Sequence, residues 1–479
     1  MSKTNASFFS NFLWRFAERC GAQVVSFIVS IVLARLLAPE VYGTIALVMV
    51  FTAVLEVFID SGFGSALIQK KDADDLDFSS VFYFNLVMCV LLYGVMFALA
   101  PTIASFYSNL SLIPIIRVLS LTLILSGIKN VQQAYVSRQM IFKKFFFATL
   151  GGTIISAALG IAMAYMGFGI WALVAQRLCN TTIDTVILWI TVKWRPIAAF
   201  SWQRLKGLLS FGWKLLASGL IETIYNNLRS LVIGKIYTAE DLAFYNQGDK
   251  FPNLIISNIN SSIDSVLLPT MSSVQDDCEA VRGMTRRAIK TSTYIMAPLM
   301  MGLVFCGSTV VSLVLTEKWL PCVPYMQIFC FTYMFWPVHT CNLNAIKAMG
   351  RSDLFLKLEI IKKIVGMCLL LISMKISVMA MAYSLIVSSI SSQIINSWPN
   401  KKLLNYSYLS QLKDILPGIL LAVVMGVCIS FVPSLGLGKI TTLVIQVPLG
   451  AAIYIALSAI FKLDSFIYLQ GIIVSMLKR

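Results

Sequence analysis

Eleven ionisable side chains interrupt otherwise apolar stretches of this chain. They are the bases Arg117, Lys129, Arg177, Arg229 and Lys250 and the acids Glu56, Asp60, Asp184, Glu222, Asp249 and Asp264. A charge at the middle of a bilayer costs roughly 2.5–3.5 kcal/mol, so it normally faces a partner or a wet cavity. Spacing groups these residues. Glu56 and Asp60 are four apart and share one helix face. Arg177 and Asp184 lie two turns apart on another, and Lys214, Glu222 and Arg229 form a polar stripe beside Asn226 and Asn227. The stretch from Asn246 to Asp264 is the most polar span, and Pro252 removes a backbone donor within it. Such a helix lines water or protein, not lipid.

Two chemistries follow. Ion pairs such as Arg177–Asp184 and Glu222–Arg229 can hold a helical bundle together. The bases can instead bind an anionic ligand, a reading favoured by Arg117, Lys129 and Lys250, which lack a same-face acid in their own helix. Arg19, in the first apolar run, joins them as a candidate. Glu56, Asp60, Glu222 and Asp264 then serve as counter-charges or as a proton or sodium site. The ten cysteines sit mostly inside apolar spans without metal-ligand or disulfide spacing, which reads as packing. His339, beside Trp336 and Pro337, reads as a core histidine at a helix kink, and Glu359 with Lys363 as a solvated i, i+4 pair. The run Asp60-Ser61-Gly62-Phe63-Gly64 follows no strand, so it is no phosphate loop. No catalytic residue, metal or cofactor is expected.

The elements that must position these residues are membrane helices. Hydrophobic residues make up 58% of the chain and charged ones 13%, with mean hydropathy +0.82. Apolar stretches long enough for about 30 Å of hydrocarbon recur throughout. They fall near 12–37, 41–68, 79–103, 110–137, 145–166, 168–192, 208–236, 242–272, 286–314, 323–346, 354–374, 376–398, 414–433 and 440–461. None shows the alternation of a barrel strand, and no cleavable signal peptide is evident, because Arg15, Glu18 and Arg19 interrupt the first run.

Lys and Arg test this count. With the N-terminus inside, 28 of the 38 fall in inner segments, among them Lys70, Lys71, Arg138, Arg204, Arg286 and Lys290, and only Arg35, Lys235, Lys318, Lys375 and Lys439 fall outside. That is the positive-inside pattern, with both termini cytoplasmic. The net charge of +16 is then mostly topology and implies no nucleic-acid partner. The loops are too short for a soluble domain.

A faint internal repeat relates 31–68 to 231–268, with Val32, Glu40, Phe51, Ile59, Ser61, Ser65 and Leu67 recurring 200 residues later. An offset of six helices, an even number, makes the two copies cross in the same direction, as parallel repeats. The expected organisation is a first lobe over 1–193, a linker over 194–207, a second lobe over 208–400, and two further helices with a tail over 401–479.

Several motifs lie in order along the chain: Ala34-Arg35-Leu36-Leu37-Ala38-Pro39-Glu40-Val41-Tyr42-Gly43, Asp60-Ser61-Gly62-Phe63-Gly64, Leu67-Ile68-Gln69-Lys70, Val274-Gln275-Asp276-Asp277 and Glu317-Lys318-Trp319. Together they resemble the polysaccharide transporters of the multidrug/oligosaccharidyl-lipid/polysaccharide exporter superfamily. The likeness is to Wzx-type lipid-linked oligosaccharide flippases of the colanic and teichuronic acid exporter branch. The resemblance implies an all-α polytopic membrane protein of about fourteen transmembrane helices. Two parallel six-helix lobes would surround a central cavity, with two C-terminal helices outside. It implies an undecaprenyl-diphosphate-linked sugar as the substrate, moved from the inner to the outer leaflet of a bacterial inner membrane by alternating access. The lipid bilayer, a polysaccharide polymerase and chain-length proteins are the implied partners, with no cofactor beyond proton or sodium coupling. In that reading Arg19, Arg117, Lys129, Arg177, Arg229 and Lys250 meet the diphosphate. Tyr225, Asn226, Asn227, Tyr245, Asn246 and Gln247 meet the glycan. The rival within the superfamily is a drug or cation antiporter, which wants an acidic or aromatic cavity.

Overall fold

Inside hydrocarbon a backbone must satisfy its own N–H and C=O groups, which leaves helices or a closed barrel. The computed structural model describes residues 21–60, 63–70 and 72–477, and no strand occurs among them. The helices in chain order begin with α1 (Gly21–Leu36). Then come α2 (Pro39–Asp60), α3 (Phe63–Gln69), α4 (Asp75–Phe106), α5 (Leu112–Leu119), α6 (Leu121–Arg138), α7 (Lys143–Tyr165), α8 (Ile170–Thr191) and α9 (Trp202–Ile236). They continue as α10 (Ala239–Ser272), α11 (Cys278–Val314), α12 (Val323–Met334), α13 (Trp336–Ala348), α14 (Ser352–Ser373), α15 (Val378–Leu403), α16 (Tyr408–Ser430), α17 (Lys439–Ile460) and α18 (Asp464–Leu477).

Each of the fourteen apolar segments coincides with one of these helices or with a broken pair. Among the described residues, eight stretches are long and apolar enough to cross a membrane: α2, α4, α5 with α6, α7, α11, α15, α16 and α17. The charge-bearing α8, α9 and α10 fall outside that set, because the residues of chemical interest lower their hydropathy. Three segments read as single helices fall on pairs, 41–68 on α2 and α3 and two others with a described break. Within 110–137 the break is at Ser120, where Thr122 Oγ1 donates back to the Leu119 carbonyl at 2.6 Å and bends the ladder. Within 323–346 it is at Phe335, because Pro337 has no N–H for the Tyr333 carbonyl. The 200-residue repeat is visible in the backbone. α1 ends at Leu36 and α2 begins at Pro39; α9 ends at Ile236 and α10 begins at Ala239.

The chain divides into two compact units between Ala243 and Phe244. The division falls within α10. In the first unit, one cluster joins α3, α4, α6, α8 and the start of α9 through Leu67, Phe78, Val131, Leu188, Leu205 and Leu208. The stretch after α8 is fastened to it. Trp194 stacks with Tyr135 and donates Nε1 to Asp75 at 3.1 Å. Ser79 and Ser80 hydroxyls accept from the amides of Ile197 and Ser201 at 3.0 and 2.9 Å. Asp74 caps α4 by accepting from the Asp77 amide and pairs with Arg204. The Asp77 amide and the Arg204 guanidinium together hold the Asp74 carboxyl below its ordinary range. A lowered carboxyl stabilises above the unfolded value, about pH 3.9, and loses that stabilisation as pH falls through the folded value. Protection of the Ile197 and Ser201 amides, relative to their intrinsic exchange at each pH, should therefore hold from neutral pH down to the carboxylate range and fall below it. Asp74→Asn should show faster exchange already at neutral pH; equal rates would mean Asp74 does not fasten this stretch.

The other end of α9 meets α2 and α4. A Cβ on Gly43 would stand 1.6 Å from the Ala239 carbonyl oxygen, and one on Gly234 2.1 Å from Leu47. Only hydrogen at these positions permits the approach. Lys235 donates to the Phe106 carbonyl and lies 4.3 Å over its ring, and Tyr107 donates to the Leu231 carbonyl at 3.5 Å. Because the obstacle at Gly43 is backbone, Gly43→Ala should cost at least the upper part of the overpacking range, about 1–3 kcal/mol. The thermal midpoint should fall accordingly, whereas Gly94→Ala, with open space around it, should leave it unchanged. An unchanged midpoint for Gly43→Ala would refute the seam.

In the second unit α11 packs against α12, α13, α16 and α17. A buried amide triad joins α13, α15 and α16. Asn342 donates to Gln411 at 2.9 Å, and Asn400 and Gln411 donate to Asn342 Oδ1 at 2.7 and 2.9 Å. At the start of α11, Arg286 grips Asp414 with two hydrogen bonds of 2.7 Å.

Candidate functional site

α8 is positioned by the glycines of α7. Gly152 lets the backbone of Asn180 and Asp184 approach to 3.1–3.4 Å of where a Cβ would be, and Gly160 admits Gln176. This sets Arg177 and Asp184 against other helices. Lys129 of α6 donates to Asp184 Oδ2 at 2.9 Å, and the pair is buried, with side chains 17% and 11% exposed. Asp184 Oδ1 has no hydrogen-bond partner. Arg177 lies 3.6 Å from Glu56 of α2, a looser pair with side chains 44% and 27% exposed. Arg177 and Asp184 therefore do not pair along their shared face; each takes a partner from a different helix. Lys129, which has no acid in its own helix, receives one from α8. Arg117 places its guanidinium 4.0 Å over the Phe97 ring, and its buried Nε has no hydrogen-bond partner.

On α9, Glu222 accepts from Asn226 at 3.2 Å, and Asn227 donates to the Thr223 carbonyl at 2.8 Å. Glu222 and Asn226 are exposed, and Tyr225, Asn227 and Arg229 are half-buried. The middle of α9 is thus open while both its ends are packed. Arg19 lies outside the described residues, as does the side chain of Asp60.

α10 continues through Pro252 and Pro269 without a break. The Gly248 carbonyl is the one that Pro252 cannot serve, and Gly248 itself presses on the start of α12, where a Cβ would come within 2.7–2.9 Å of Tyr325, Cys322 and Met326. The polar face of α10 is joined to α12 and α13. Tyr333 and Asn253 donate to Asp249, Thr340 donates to Asn260, and Asn344 donates to Asp264 at 3.0 Å. Asn260 with Asp264 and Thr340 with Asn344 are both i, i+4 polar pairs. That matched spacing was the signal in the sequence that the two helices face each other. Tyr245 and Gln247 are buried at 6% and 5% exposure, Tyr245 among Tyr325 and Phe329. These are packing positions, closed to a glycan; Asn246 is half-buried.

Lys250 differs from all of these. It is half-buried, and among the described residues it has neither a carboxylate nor a hydrogen-bond partner. His339 is held by Asn396, Nδ2 to Nδ1 at 3.2 Å. Glu359 pairs with Lys362 at 2.6 Å, one residue short of the expected i, i+4 partner. No group of three or more His, Cys, Asp or Glu residues placed to hold a metal occurs among the described residues. Among the described residues these helices offer cations in three states: tightly paired at Lys129, loosely paired at Arg177 and without a partner at Lys250.

A family model described as "Polysaccharide biosynthesis protein" matches residues 32–324. The chain is 24% identical to the teichuronic acid biosynthesis protein TuaB of Bacillus subtilis, over 85% of this chain and 86% of that protein. It is 26% identical to the lipopolysaccharide biosynthesis protein WzxC of Escherichia coli, over 69% of this chain and 68% of that protein. Among solved structures, the lipid II flippase MurJ in an inward closed conformation matches with TM-score 0.75 and 15% identity, over 94% of this chain and 98% of that one. An inward-facing multidrug resistance transporter of the MATE family matches with TM-score 0.63 and 16% identity, over 80% of this chain and 94% of that one. The fold is therefore that of these two solved transporters, a helical multi-pass membrane protein.

Proposed function

The chain belongs to the polysaccharide biosynthesis protein family, and on that premise we propose that it flips an undecaprenyl-diphosphate-linked oligosaccharide from the inner to the outer leaflet of a bacterial cytoplasmic membrane. The observation that carries the reading is Lys250 of α10, a half-buried cation without a partner among the described residues. A desolvated ammonium is stabilised by an anion, and a diphosphate supplies one with several acceptor oxygens. Within the first unit Arg177 is a further candidate donor, because its 3.6 Å contact with Glu56 is long enough for a phosphate oxygen to replace the carboxylate. Lys129 is the less available cation, because Asp184 already satisfies it. Arg19, Arg117 and Arg229 complete the proposed cationic set. Tyr225, Asn226 and Asn227, on the open middle of α9, are the glycan contacts this reading retains. Glu56, Asp60, Glu222 and Asp264 stand as candidates for ion coupling. Both termini face the cytoplasm, and the sugar unit passes on the outer side to a polymerase.

The test is reconstitution. Proteoliposomes holding the chain should expose an undecaprenyl-diphosphate-linked oligosaccharide to a membrane-impermeant lectin, and protein-free vesicles should not. Movement of an organic cation such as ethidium against a proton gradient, with no sugar exposed, would assign the chain to drug export instead.

A further inference from the structure

The last described helix has an unusual surface. α18 is apolar on two sides. Phe466 and Leu469 are half-buried, on the side away from solvent. Ile467, Tyr468 and Val474, at helical spacing with Gly471, are exposed, at 52%, 40% and 42% for the three side chains. At about 21 Å its 14 residues are too short to span hydrocarbon.

The chain reaches α18 directly from α17, a helix long and apolar enough to cross a membrane. The turn between them is tight. Lys462 has φ +47, and the Lys462 and Leu463 amides donate back to Ala459 and Ser458. A left-handed residue there turns the chain off the α17 axis where that helix leaves the bilayer.

α18 is fixed in place by α11. Lys290 pairs with Asp464 at 2.6 Å, and the Arg287 guanidinium lies 5.2 Å over the Tyr468 ring. Arg287 and Lys462 are both exposed beside the apolar face.

We propose that α18 lies in the plane of the membrane surface, with Ile467, Tyr468 and Val474 in the acyl boundary and Arg287 and Lys462 against anionic lipid headgroups. An apolar face continuous with a membrane helix, flanked by cations and a tyrosine, matches the boundary of a charged leaflet. Through Lys290–Asp464 and Arg287–Tyr468, the charge of that leaflet bears on α11, the central helix of its unit. The proposal does not depend on which substrate is carried, and its test involves no transport.

The test places an environment-sensitive coumarin amino acid at position 467 of the full chain in phosphatidylglycerol vesicles. Brominated acyl chains should quench it several-fold more strongly than aqueous iodide. Stronger quenching by iodide would place the face in water, and protection from both quenchers would place it against protein; either overturns the proposal. The headgroup part has its own measurement. Adding phosphatidylglycerol to phosphatidylcholine nanodiscs should raise the thermal midpoint of the wild-type chain. The double variant Arg287→Gln/Lys462→Gln should lose most of that rise. No rise in the wild type, or the full rise in the variant, overturns it.

Discussion

Lys250→Gln is expected to reduce flipping of the lipid-linked sugar by roughly 10- to 150-fold while leaving the chain folded. The magnitude follows from one charge-assisted contact to the diphosphate, worth about 1.5–3 kcal/mol, at about 1.4 kcal/mol per tenfold. The retained fold follows from the absence of a partner among the described residues: no acid there is orphaned when the ammonium goes. Removing a half-buried cation that pairs with nothing should hold the thermal midpoint level or raise it. Lys250→Arg should keep part of the activity, because the charge remains and its donors differ in reach. The measurement pairs the rate of sugar exposure in proteoliposomes with the thermal midpoint. Full activity for Lys250→Gln would remove Lys250 from the site and with it the main support for an anionic substrate.

Lys129→Met should do the opposite, destabilising first. Asp184 is buried, and its Oδ1 already lacks a partner. Without Lys129 both oxygens stand unpaired in a low-dielectric interior. Breaking a buried pair from one side costs about 3–5 kcal/mol. The double variant Lys129→Met/Asp184→Leu should recover most of that loss, because neither charge remains to be desolvated. Its flipping rate then tests whether the pair has a second role. Recovery of stability with full activity would make Lys129–Asp184 a fastening only, and recovery with lost activity would keep Lys129 among the substrate contacts. A single variant as stable as the wild type would show that the Lys129–Asp184 pair fastens nothing. Arg177→Met should cost less stability than Lys129→Met, since its pair is longer and more exposed.

The helical architecture was legible because hydropathy and the Lys/Arg alternation are properties of consecutive residues. The repeat was legible for the same reason, and it placed the Leu36–Pro39 and Ile236–Ala239 joints in register. Which charge meets which was not legible. Spacing along α8 suggested Arg177 with Asp184, but the partners come from α2 and α6, and rotation of one helix against another leaves no trace in a single sequence. The same limit explains Tyr245 and Gln247. Composition marks α10 as polar, but only packing against α12 decides which of its residues are closed off. Thr340 and Asn344 were missed as partners for α10 because each is unremarkable alone, and only the shared four-residue interval relates them to Asn260 and Asp264.

Mechanically, α9 is a beam pinned at both ends. Its 35 residues reach about 52 Å. One end is clamped by Leu205 and Leu208 inside an aromatic cluster, the other by close contacts at Gly43 and Gly234 with Lys235 on Phe106 and Tyr107 on Leu231. Between them, around Glu222 and Asn226, the helix is more exposed. A beam of this kind answers a sideways push at its middle by bowing. The load then falls on both supports, which stand some seven helical turns apart.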